Sequence, residues 1–99
     1  MPLALKVAIA ICVIYDVYLA DKDNTFRAVA KVNHSPIRVG DRCALLREGK
    51  VSDDIITITQ IGFGERTWEE KEPGKITTIF VETALTAQEL QGNTFIQIR

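Results

Sequence analysis

Ser35-Pro36-Ile37-Arg38-Val39-Gly40-Asp41-Arg42 reads as the corner between two β-strands. Upstream of it, Phe26 to Val32 alternates apolar and polar residues, and downstream Cys43 to Leu46 is apolar again. Pro36 presets its own φ near about −65°, and Gly40 can take the positive φ that a tight turn requires. Asp41 is placed to accept hydrogen bonds from nearby backbone amides and so hold the corner. A corner between two short strands points to a β architecture.

Working outward, the pattern repeats. A first strand is predicted over residues 4–18, with Leu5, Val7, Ile9 and Ile11 on one face and Ala4, Lys6, Ala8 and Ala10 on the other. Both faces turn apolar from Cys12 to Val17 except at Asp16, which predicts a bulge there. Asp16 itself is expected to bond backbone amides at that bulge. After the charged turn Asp21-Lys22-Asp23-Asn24, a strand over 25–33 points Phe26, Ala28, Ala30 and Val32 inward. Small alanines among larger neighbours suit the tight interior of a small barrel.

Strands over 42–47 and 55–61 follow, separated by the turn Arg47-Glu48-Gly49-Lys50. Ile56 and Ile58 share a face while Ile61 falls on the other, so a bulge is predicted near Gln60. Residues 64–75 form the longest polar connection and hold the single tryptophan. A strand over 76–83 precedes Thr86-Ala87-Gln88-Glu89-Leu90, which has capping-box spacing and predicts one helical turn. The final strand, 94–98, is expected to face Ile96 and Ile98 inward. Six short strands with almost no helix predict an all-β fold, a barrel or a sandwich, built as one domain over residues 1–99.

Composition narrows the function. The chain has 99 residues, 46% apolar and 25% charged, enough for one modest core and unlike a disordered segment. The formal net charge is −1 and the isoelectric point about 5.8, with Lys and Arg scattered singly. Proteins that bind nucleic acid through its phosphates carry a basic face, so this balance disfavours that partner. Cys12 and Cys43 lie in apolar runs and read as buried, reduced thiols. One histidine and no Cys-x-x-Cys leave too few soft ligands for zinc. Leu3 to Ala20 has the basic start and apolar run of a signal peptide, but Asp16 interrupts it and β-branched residues fill it. It is expected to be a strand, and the protein cytoplasmic with no membrane span.

The order of motifs has a familiar counterpart. Ile14-Tyr15-Asp16-Val17-Tyr18, Phe26-Arg27-Ala28-Val29-Ala30-Lys31-Val32 and Ile37-Arg38-Val39-Gly40-Asp41 together resemble the second domain of translational GTPases such as elongation factor Tu. Glu72-Pro73-Gly74-Lys75 looks like that family's glycine turn before a strand, and Leu85 to Phe95 like its closing segment. The resemblance runs over nearly the whole chain and implies a closed, six-stranded Greek-key β-barrel. The departures bear on function. No Gly-x-x-x-x-Gly-Lys-Ser/Thr occurs, so nucleotide hydrolysis is not expected of this chain. Where the factor Tu domain carries a Gly-Arg-Gly turn that helps hold the tRNA end, this chain has Asp21-Lys22-Asp23-Asn24-Thr25. The fold is carried over by resemblance, and none of the RNA-contacting residues.

Among candidate sites, the 64–75 connection stands out. Arg66, Trp68, Glu69 and Glu70 are expected to contact a protein partner, since Trp and Arg dominate interface hot spots. The competing reading folds the Trp68 ring back over the barrel rim. His34 beside Asn33 and Ser35 lacks the oriented partner that general-base chemistry needs and reads as a turn residue. Asp53-Asp54 and Glu69-Glu70 are sequence neighbours whose side chains point apart in extended chain, so no metal site or catalytic carboxylate pair is expected. The expectation is a non-enzymatic binding module without cofactor, monomeric or paired through strand edges. Two other readings stay open: an RNA- or ribosome-associated barrel, and a flavin-binding barrel. The second rests on Ile37 to Ala44, which is similar to a riboflavin synthase turn, although the motif that follows it there is replaced here by Leu45-Leu46-Arg47-Glu48.

Overall fold

A computed structural model describes residues 9–98. Nine strands and one helical turn follow in order: β1 Ile11–Leu19, β2 Thr25–Asn33, β3 Ile37–Arg38, β4 Arg42–Arg47, β5 Lys50–Phe63, β6 Arg66–Trp68, β7 Glu70–Lys71, β8 Ile76–Glu82, α1 Ala87–Leu90 and β9 Thr94–Gln97. Six of them close on themselves in the circuit β1-β2-β8-β5-β4-β9 and back to β1, every pair antiparallel. That is the expected six-stranded closed barrel with Greek-key crossings. The first strand begins at Ile11 among the described residues, and its predicted start at 4–8 lies outside them.

Alternation in β2 becomes the barrel wall. Phe26, Ala28, Ala30 and Val32 are all buried, the last three completely. Opposite them pack Ile14, Ile56, Ile58, Ile61, Ile79, Val81 and Phe95. Both predicted bulges are present. The β1–β2 register shifts between Ile14 and Asp16, and the β5–β8 register between Ile58 and Gln60. The second shift brings Ile61 back inside with Ile56 and Ile58.

The corner is built as expected and holds more than itself. Gly40 has φ 96°, and the Arg38 amide donates to Asp41 Oδ2 at 2.8 Å. The same oxygen accepts from Gln97 Nε2 at 2.7 Å, while Gln97 Oε1 accepts from the Ala10 amide at 2.9 Å. This clasp corrects the reading of the last strand. Phe95 and Gln97 face inward, and Ile98 is 39% exposed, because Gln97 has hydrogen-bond partners for its buried amide. Asp16 also departs from expectation. It is exposed beside the bulge and solvated, with no backbone amide bound to its carboxylate among the described residues. At α1 the capping box forms in both directions: the Glu89 amide donates to Thr86 Oγ1 at 3.2 Å, and the Thr86 amide to Glu89 Oε1 at 3.0 Å. Those bonds hold the Glu89 carboxyl below its ordinary range.

Candidate functional site

The 64–75 connection is an ordered arm, not an irregular loop. β5 outruns the barrel, turns at Gly64, and β6 folds back on it with Ile61 opposite Trp68 and Phe63 opposite Arg66. β7 then pairs with β3, placing Ile37 opposite Lys71 and Arg38 opposite Glu70. The Val39 amide donates to the Glu69 carbonyl at 2.9 Å. The arm is therefore fastened to the barrel end at one root and to the corner at the other.

Gly62 decides where Trp68 sits. A side chain there would collide with the Arg66 carbonyl and come within 2.8 Å of the Trp68 ring, so the indole lies directly over the glycine. Lys71 Nζ stands 3.8 Å from the ring centroid and the Arg66 guanidinium 6.0 Å, which frames the ring with two cations. Trp68 remains 36% exposed. It folds back over the rim and still offers ring surface to solvent. Beside it, Lys71, Glu72, Pro73 and Lys75 help line a hollow of about 230 Å³. Of the other predicted residues, Glu70 pairs with Arg38 at 3.4 Å, and Glu69 is exposed. Both groups of the ion pair are well exposed, so it adds little to stability.

The remaining candidates fall elsewhere. His34 is an exposed turn residue with φ 75°. Asp53 and Asp54 are exposed in the first half of β5. Cys12 and Cys43 are free and buried. Burial raises both thiols to about 12, with Asp41 adding to the shift and Cys12 adding to that of Cys43. Among the described residues no cluster of His, Cys, Asp or Glu could hold a metal, and no helix is long and apolar enough to cross a membrane.

A second surface emerges only from the folded chain. Tyr18, Arg27, Phe80 and Gln60 stand opposite one another across β1, β2, β8 and β5, forming a row on the outside of the barrel. Gly62, at φ 94°, changes the facing of β5: Ile61 is buried, but Phe63 two residues on is 58% exposed and stacks on Phe80 with centroids 5.9 Å apart. The Arg27 guanidinium lies 4.9 Å from the Tyr18 ring and 4.7 Å from the Phe63 ring. The β1–β2 hairpin and the distant strands β5 and β8 carry these residues, and strand register unites them. The one local signal is Gly62-Phe63-Gly64, a large apolar residue between two permissive ones.

Comparison with known proteins bears on this fold. No family model matches the sequence, and no curated protein matches it. Among solved structures, translation elongation factor SelB from Methanococcus maripaludis, in its apo form, matches 94% of the chain with a TM-score of 0.74 at 11% identity. The chain spans 19% of the length of that SelB chain. In fold, this chain is a closed six-stranded antiparallel β-barrel, similar to part of a translation elongation factor.

Proposed function

We propose that the barrel is a non-enzymatic, cytoplasmic binding module that contacts a protein partner through the 64–75 arm, with Arg66, Trp68, Glu69 and Glu70 as contact residues. The observation that carries this reading is the setting of Trp68: anchored over Gly62, flanked by Lys71, and partly open to solvent. An aromatic side chain already immobilised loses little conformational entropy on binding, which is the property of an interface anchor. The two acidic residues beside it would set the charge preference of the contact at its solvated rim.

The test is a tagged pull-down from native lysate, with and without nuclease, comparing the wild type with Trp68→Ala and with Glu69→Lys/Glu70→Lys. A nuclease-resistant protein retained by the wild type and lost by both variants is the expected result. Retention of every partner by both variants would remove the arm from the interface. A set of ribosomal or tRNA components released by nuclease would replace this reading with the RNA-associated one.

A further inference from the structure

We infer that the face carrying Tyr18, Arg27, Phe63 and Phe80 is the contact surface of a two-fold homodimer, distinct from the partner-binding arm proposed above. The surface is a groove of about 470 Å³ lined by Leu19, Asp21, Arg27, Gln60, Phe63 and Phe80. Leu19 is 81% exposed, and Phe63 is 58% exposed. Exposed apolar residues gathered in one place, unlike scattered ones, mark an interaction surface.

Charge identifies the occupant. The Arg27 guanidinium lies 4.9 Å and 4.7 Å from the Tyr18 and Phe63 ring centroids, which holds its charge on this face. No carboxylate lies within 4 Å of it among the described residues, whose single ion pair is Arg38 with Glu70. Asp21 opens on the same groove from an exposed turn and is likewise without an ion-pair partner among them. Lys22 faces the adjoining hollow shared with Asp21, Gln60 and Phe80. A partner of a single charge sign would meet repulsion: a polyanion from Asp21, a basic segment from Arg27. A surface with unpaired charges of both signs, Arg27 and Lys22 against Asp21, around an apolar centre is complementary to itself. Rotation by a two-fold axis sets Arg27 of each copy against Asp21 of the other and brings Phe63, Phe80 and Leu19 together between them.

Sedimentation velocity over about 5–500 µM protein tests this, since self-association follows protomer concentration. The wild type is expected to pass from monomer to dimer within that range. Arg27→Asp and Asp21→Arg should each weaken dimerisation roughly tenfold or more, the effect of leaving a desolvated charge unpaired. The double variant Arg27→Asp/Asp21→Arg reverses both pairs and should recover the dimer. Asp21 stands in an exposed turn, so its variant reports even if Arg27→Asp does not fold. A wild type that stays monomeric, a dimer indifferent to Asp21→Arg, or a double variant no better than either single one would each overturn the proposal. A monomer would leave the arm and its pull-down untouched.

Discussion

Gly62 is the residue on which both outer surfaces depend. Its φ of 94° turns Phe63 outward onto Phe80, and its missing side chain admits the Trp68 ring. Gly62→Ala combines an unfavourable left-handed φ with a backbone collision, so it should cost about 2–4 kcal/mol in urea unfolding. Trp68 is the single tryptophan, and its emission should shift to the red in the variant as the ring leaves the glycine. Unchanged stability with unchanged emission would contradict this account. The two thiols make a pH prediction at the same scale. Folding raises their values from 9.0 to about 12, so the native state keeps protons that the unfolded chain releases in between. Their contribution is complete below 9.0 and is lost as pH rises toward about 12. Urea midpoints measured across that interval should fall more steeply for the wild type than for Cys12→Ala/Cys43→Ala, and equal slopes would count against it.

Elements that face both core and water are legible in the amino-acid pattern itself. β2 alternates because one side lines the barrel, and its bounds, like those of β4, agree with the strands predicted from pattern. Bulges also leave a trace, because an extra residue shifts the apolar phase at Asp16 and Gln60. β6 leaves none. Arg66, Thr67 and Trp68 are all exposed, and a strand outside the core has no buried side to impose a period. β9 misleads for a different reason. Apolarity favours Ile96 and Ile98 for the interior, but partners at Asp41 and Ala10 supplied by distant chain let Gln97 go in. The candidate residues Arg66, Trp68, Glu69 and Glu70 do share one arm, whereas the Tyr18–Arg27–Phe80 row needs strand registers across the barrel wall to exist at all.

Among the described residues, the molecule as a whole is a circuit of six staves, each paired with two neighbours over part of its length. Most of its contacts join residues far apart in sequence, so folding must close long loops before the barrel is rewarded. Closure also explains why recognition is proposed for features outside the circuit: the arm beyond β5 and the outward faces of the staves. Neither draws its contact side chains from the buried core, which separates the contact surfaces from the packing that holds the barrel.

At the clasp, the Gln97 amide donates to the Ala10 carbonyl at 3.0 Å while its side chain accepts from the Ala10 amide, so the described chain enters and leaves the barrel at the same spot. Such a body can be re-threaded. Joining residues 9 and 98 with a short flexible linker and opening the chain at the Glu48–Gly49 hairpin tip should give a circular permutant that keeps the fold, with an unfolding free energy within about 1–2 kcal/mol of the parent and the same far-UV spectrum. Failure of that permutant to fold would mean that chain order, and not only the closed circuit, carries the structure. Success would mean that the barrel can be spliced into a surface turn of another protein as a self-contained insert, its two attachment points already side by side.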